Sequence, residues 1–522
     1  MVPAQNSLMT KKIFCAIIIA GCFLACKKEE TTNYTTEQVI NGVNIYPAPP
    51  SKWFGGDRPY FTRAGFVGDV MPYFEKDSFH VFYLHDARDG NSGFHPWSKF
   101  TTNDLLHYTY DGVMIPYGGS SDLDLALGTG SIVKSGDTYY AFYSGFNPAF
   151  NGSGGKFRDN ILLAKSNDLS LWQKDPAFII KPETTNGYNY WEFRDPYVFY
   201  NNEKKEYWML VCGRKNDQAA VMLYTSTDVA SGKWQLKDPL YTTSEYNVPE
   251  TPQLFKWGNY WYLVFSENSA ENSTHYRIAT SSSGPWTKPA NDKFDGQYMY
   301  ASKVATDGTN YYLFGWCPTK SGAKDGGSRD FGGNLVVHQL TQNADGSLDV
   351  KNPATVESQY PKETGLALTL KEQSVGLEAN NVYFPNREEN AFIVFDRLAG
   401  DRMITATIGN VQAGAEFGFV FGMDKAVQNT SYYQLNFKQA DNLLSGISIN
   451  NNTPKTEGVV NLKLEAGKEY PVKIMINGSV CVIYVNNQVA LTTRIYSANH
   501  MMWGLFGNKG VSFKNIKVYS PQ

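Results

Sequence analysis

Along the first two thirds of the chain, hydrophobic and polar positions recur in one arrangement: a polar turn, then a strand almost solid with aromatic and aliphatic residues. It stands at 76–86 (KDSFHVFYLHD), 135–145 (SGDTYYAFYSG), 203–213 (EKKEYWMLVCG), 257–267 (WGNYWYLVFSE) and 307–317 (DGTNYYLFGWC). Most copies are followed by a further strand, a Ser/Asp turn and an aromatic residue, as in FTTNDLLHY at 100–108 and AKSNDLSLWQK at 164–174. No convincing amphipathic helix interrupts them. Repeats about 50 to 70 residues apart, each built from several short strands, predict the blades of a five-bladed β-propeller. One short strand precedes each aromatic strand: GDVMPYF, GTGSIVK, RDPYVFY, ETPQLFK and YASKVAT. In a propeller these five line the central axis.

From about residue 346 the pattern changes to alternating strands, among them AFIVFDRL, MITATIGNV, EFGFVFGMD and YYQLNFKQ. Asn477-Gly478 and Asn486-Asn487 read as hairpin turns. Many short strands joined by turns predict an antiparallel β-sandwich. The fold class is therefore all-β, a five-bladed β-propeller over 46–345 followed by a β-sandwich over 346–522, whose ending WGLFGNKGVSFKNIKVYS resembles the last strands of lectin-like sandwiches.

The N-terminus adds a location. Residues 1–26 contain two lysines, a short apolar run and then a cysteine, and 27–45 form a charged, Thr-rich tether. The run is short for a bilayer span but suits a secretory signal. It resembles a bacterial lipoprotein signal, which implies lipidation of Cys26, with Cys22 fitting about as well, and an outer-membrane lipoprotein on the periplasmic or cell-surface side. Contact with the membrane is expected through that anchor alone. The other cysteines, Cys212, Cys317 and Cys481, are widely spaced among apolar neighbours and read as buried small residues.

Charge and composition narrow the partners. The 47 basic and 50 acidic residues leave a net charge of −3, which speaks against a nucleic-acid partner. An aromatic content of 15%, led by Tyr, favours sheets and sugar-stacking surfaces. The seven histidines form no HExxH-type pair, so neither a catalytic metal nor another cofactor is expected.

Three of the axial strands open with a carboxylate: Asp69, Asp195 and Glu250. If the blades are equivalent, the three converge at one mouth of the axis. Converging carboxylates raise one another's pKa, and their natural use without a metal is glycosidic bond cleavage by an acid paired with a nucleophile or base. A calcium site is the competing use.

These residues resemble glycoside hydrolase family 32, the β-fructofuranosidases, levanases and inulinases. The intact triplet Arg194-Asp195-Pro196, the strand FVGDVMPYF followed by FHVFYLH, and PETPQLF carry the resemblance. It implies that Asp69 is the nucleophile, Asp195 a transition-state stabiliser, Glu250 the acid/base, and Arg194 a sugar-binding residue. His85, Trp97, Thr129, Ser131, Tyr300 and Trp316 are the further expected contacts of an oligo- or polysaccharide. The chain departs from the family pattern where Gly68 replaces the usual Asn, Thr251 the usual Cys, and Tyr298 roughly the place of another acidic residue. PETPQLFKWGNYWYLVFS also resembles family 43, the arabinanases and xylosidases, in which Asp69 would be a general base and configuration would invert. A catalytically silent glycan-binding lipoprotein is the remaining alternative.

Overall fold

The computed structural model describes residues 38–39, 44–49, 65–86, 95–269, 271–424 and 429–521. The expected signal, its lipidated cysteine (Cys26 or Cys22) and most of the tether lie outside them.

Five antiparallel sheets follow one another in sequence. Blade one is Phe66–Glu75, Ser78–Asp86, Trp97–Thr102 and Thr109–Ile115. Blade two is Ala126–Ser135, Thr138–Phe146, Asp159–Ser166 and Gln173–Ile180. Blade three is Tyr188–Asn201, Glu206–Lys215 and Gln218–Ser226 with two short outer pieces. Blade four is Glu250–Trp257, Tyr260–Ser266 and Thr274–Ala279, edged by isolated bridges from Thr287 and Lys293. Blade five is Tyr300–Thr306, Tyr311–Lys320, Arg329–Gln342 and Leu348–Lys351.

The first strand of each blade touches the first strand of its neighbours, so the five make a closed ring. Each aromatic strand read from the sequence is the second strand of its blade, where rings from adjacent blades interlock, as Phe79 does with Phe314. The ring is joined where Val67 pairs with Gly333. Only glycine fits at 333, because a Cβ there would lie 1.8 Å from the Cys317 carbonyl oxygen. The outer strand Leu348–Lys351 carries the propeller past residue 345, the boundary read from the sequence, because these residues complete blade five by pairing with Gln339–Gln342.

The second domain is two antiparallel sheets packed face to face. One holds Ser512–Ser520, Arg402–Gly409, Tyr470–Asn477, Val480–Val485 and Val489–Arg494; the other holds Ala391–Phe395, Met502–Gly507, Glu416–Met423, Tyr432–Lys438, Leu443–Asn450 and Thr453–Asn461. The alternation in EFGFVF explains the layers: Phe417, Phe419 and Phe421 point into the core between the sheets and Val420 packs on the outer face, where Met423 joins it after a register shift that follows Phe421. Both expected hairpins form, with one shift. The pairing Asn477↔Val480 makes Gly478-Ser479 the turn, and Gly478 takes a φ of 56°.

Blade five and the sandwich share buried polar contacts. Asp295 accepts hydrogen bonds from the Thr492 amide (2.7 Å) and hydroxyl (2.5 Å) and pairs with His338 Nε2 at 2.9 Å. Arg494 donates to the carbonyls of Pro318 (2.6 Å) and Cys317 (2.8 Å). One apolar cluster also crosses the junction, joining Val336 and Leu340 of the propeller to Val482 and Tyr484 of the sandwich. Cys212, Cys317 and Cys481 are buried free thiols, as the sequence suggests.

Candidate active site

Every axial strand carries a bulge at the same height. Pairing skips from Val67↔His85 to Val70↔Tyr83 in blade one, and from Leu127↔Gly145 to Gly130↔Tyr143 in blade two. The same skip separates Arg194↔Cys212 from Tyr197↔Leu210, Glu250↔Ser266 from Gln253↔Val264, and Tyr300↔Trp316 from Lys303↔Phe314. Two residues thus oppose one, which bends the strand and re-aims its side chains. The carboxylates sit on equivalent strands but not at equivalent positions. Glu250 is the last paired residue before its bulge, Asp195 the first bulged residue, and Asp69 the second. The first bulged residues Asp195, Thr251 and Ala301 take φ of 60°, 49° and 50°, a conformation strained for any residue with a Cβ and most of all for β-branched Thr251.

This stagger brings the three acids together. Arg194, Glu250 and Tyr300 hold the same position on consecutive blades and form a row. The Arg194 guanidinium donates to Glu250 Oε1 at 2.9 Å and also to Glu192, and the Tyr300 hydroxyl donates to Glu250 Oε2. Asn268 is the third donor to the Glu250 carboxylate, reaching Oε1 at 3.1 Å. Asp195 is fixed from both sides, its amide donating to Ser144 Oγ (2.7 Å) and its carboxylate accepting the Thr251 amide (2.9 Å). Asp69 accepts the Trp316 indole N–H at 3.0 Å. Burial, then the charges of Asp195 and Glu250, push the Asp69 carboxyl up to about 7. Burial pushes Asp195 up to about 6, although the Arg194 charge opposes it. A proton is therefore held among the carboxylates near neutral pH. Just beyond the bulge, Lys303 lies buried on the axis and donates to the Gly130 carbonyl at 2.6 Å.

Residues 65–338 match the model of the glycosyl hydrolases family 32 N-terminal domain, and 346–518 match that of the GH32, BT1760-like, C-terminal domain. The chain belongs to glycoside hydrolase family 32. Raffinose invertase of Escherichia coli is 28% identical over 221 residues, 41% of this chain and 44% of that protein. The chain spans less than half the length of this relative and of sucrose-6-phosphate hydrolase of Escherichia coli, to which it is 24% identical. Among solved structures, sucrose-6-phosphate hydrolase from Lactobacillus gasseri superposes with a TM-score of 0.65 at 18% identity, covering 88% of this chain and 91% of that one. Fructan 1-exohydrolase IIa from Cichorium intybus gives 0.65 at 16% identity, covering 92% and 97%. These likenesses extend over both domains and show the shared fold.

The two departures from the family 32 pattern nearest the acids have local causes. A Cβ on Gly68 would lie 2.7 Å from the Phe331 ring and 3.0 Å from the Leu84 carbonyl oxygen, so the ring fills the place of a side chain at 68. Phe331 stacks on His95 and packs on Trp316, both with centroids 5.0 Å away. Thr251 is buried, and its hydroxyl finds no hydrogen-bond partner among the described residues; its contribution is the amide held by Asp195.

The remaining expected contacts divide. Tyr300 and Trp316 touch Glu250 and Asp69 directly. Thr129 is the blade-two counterpart of Asp69, buried, with a hydroxyl that lacks a partner among the described residues. His85 is a buried imidazole paired with Ser98 Oγ at 2.9 Å, and burial pushes it down to about 3, so it is neutral. Trp97 and Ser131 are corrections. The Trp97 ring is 0% exposed and donates to the Gly128 carbonyl, which leaves no face for a sugar. Ser131 stitches blades two and three, donating to the Pro196 carbonyl (3.1 Å) and accepting the Val198 amide (2.8 Å). Sequence reasoning missed Lys303, Phe331, Asn268 and Ser144.

Proposed function

We propose that the protein hydrolyses terminal fructosyl, or closely related furanosyl, linkages with retention of configuration. The observation that carries this reading is the meeting of Asp69, Asp195 and Glu250 from three blades, with Glu250 held by Arg194 and Tyr300. In the first step an Asp69 oxygen attacks the anomeric carbon while Glu250 gives its proton to the departing glycosidic oxygen. In the second, Glu250 takes a proton from water, the water oxygen displaces Asp69, and the sugar leaves with its original configuration. Asp195, anchored by Ser144 and the Thr251 amide, faces the positive charge that develops on the sugar ring. The invertases, sucrose-6-phosphate hydrolases and fructan exohydrolase among the relatives make fructosides the first substrates to try.

The test is sugar release from sucrose, levan and inulin by the chain lacking residues 1–26, with Glu250→Gln as control and product anomers followed by proton NMR. Fructose released with retained configuration, and lost in the control, supports the three roles. Inverted product would make Asp69 a base, and sugar binding without any release would leave a silent glycan-binding protein. We further propose anchoring through a lipid on Cys26, on the periplasmic or outer face of the outer membrane. Palmitate labelling should vanish in Cys26→Ala; persistence there and loss in Cys22→Ala would move the anchor.

A further inference from the structure

We propose that Lys303 is a positioning residue that lies on the propeller axis just beyond the bulges that carry the carboxylates and favours the ionised form of Asp69 needed for attack, an inference that rests on the glycosidase reading above. Lys303 is the first paired residue after the bulge of blade five, the counterpart of Val70, Gly130, Tyr197 and Gln253. It is 1% exposed, and its ammonium reaches from blade five to the Gly130 carbonyl of blade two. Gly130 has to be glycine, since a Cβ there would lie 1.8 Å from the Phe142 carbonyl oxygen, and the bulge turns its own carbonyl toward the lysine. One neutral acceptor is poor compensation for a buried cation.

The compensation comes from charge. Burial pulls Lys303 down to about 8, and Asp195 and Asp69 act against that pull. The same attraction works in reverse, favouring the ionised forms of Asp69 and Asp195. Around Asp69 stand Asp195 from blade three, Glu250 from blade four, and Tyr300, Trp316 and Lys303 from blade five. Arg194 is engaged by Glu192 and Glu250 and lies 4.0 Å from Asp195 Oδ2, so its charge acts on those acids. Lys303 is thus the cation that offsets the crowding of acids at Asp69. Lys303 also lines a cavity of about 390 Å³ formed by the downstream halves of the axial strands, a cavity that none of the three acids lines.

The experiment compares Lys303→Met and Lys303→Arg with the natural chain by two readings. The first is kcat/KM against pH on the fructoside that is turned over. The second, independent of turnover, is the Trp316 fluorescence titration, taken as the difference from Trp316→Phe, since that indole is bonded to Asp69. In Lys303→Met the fluorescence midpoint and the acid limb should both rise by about one pH unit or more. Activity should drop about tenfold on the acid side and recover toward pH 8, while Lys303→Arg stays near the natural profile. An equal loss at every pH with an unmoved midpoint would overturn the proposal and leave Lys303 a plug in the axis. If Lys303→Met does not fold, Lys303→Gln is read the same way. A midpoint that moves in a protein with no turnover on any fructoside would refute the glycosidase reading and leave the charge coupling standing.

Discussion

Buried beside two other carboxylates, Asp69 ionises only near pH 7, whereas an unfolded aspartate does so near about 4. The folded chain binds the proton more tightly than the unfolded one between those values, so ionising Asp69 costs stability as pH rises through that window and the cost persists above it. Asp69→Asn should therefore raise Tm by a few degrees at pH 8 and leave it unchanged at pH 4, while abolishing turnover. Differential scanning fluorimetry at the two pH values decides it; an equal shift at both would mean that the gain is packing. On the proposed glycosidase reading, the site gives up stability for chemistry at this residue. Residues of this kind were legible in the sequence, because a charge at the foot of an apolar strand is conspicuous. Lys303 meets the same criterion in YASKVAT, but as a lysine it stands outside the set of carboxylates that opens three of the other axial strands.

The bulged axial strand is the element that turns a repeat into a site. The strands and their ring order could be read from aromatic spacing, since a second strand wedged between blades must be apolar on both faces. The phase of the bulge could not, because it depends on which residue of the neighbouring strand is skipped. Asp69, Asp195 and Glu250 therefore looked equivalent and are not. Exposure was equally hidden: Trp97 and Ser131 lie on strands that face other blades, and only the packing of whole sheets shows it. The same strand explains Gly68. Gly68→Ala should lower Tm by a few degrees, since its Cβ meets Phe331, and Gly68→Ala with Phe331→Ala should lose less than the two single changes together. Additive losses in that double-mutant cycle would assign the cost to the Leu84 carbonyl instead.

At the scale of the molecule, the sandwich is joined to the blade that supplies Tyr300, Lys303 and Trp316. Asp295 precedes Tyr300 by a short turn and holds Thr492 of the sandwich through two hydrogen bonds. Asp295→Ala strips buried partners from Thr492 and His338 and should cost about 3 kcal/mol or more. Scanning calorimetry should show one transition for the natural chain and a lower one for Asp295→Ala; two resolved transitions in the natural chain would mean that the domains unfold separately. The ring of blades, by contrast, depends little on the acids it displays. Each carboxylate comes from a different blade; Asp69 does bond Trp316 across the seam between blades one and five, but that seam is also held by the Val67–Gly333 pairing and the Phe79–Phe314 contact, and none of the three acids spans the junction. On the proposed reading, a single substitution would silence catalysis while the propeller, its junction and much of the opening around the acids persist. Lineages built on this scaffold can therefore shed an activity in one step and keep a folded, glycan-sized opening for selection to reuse.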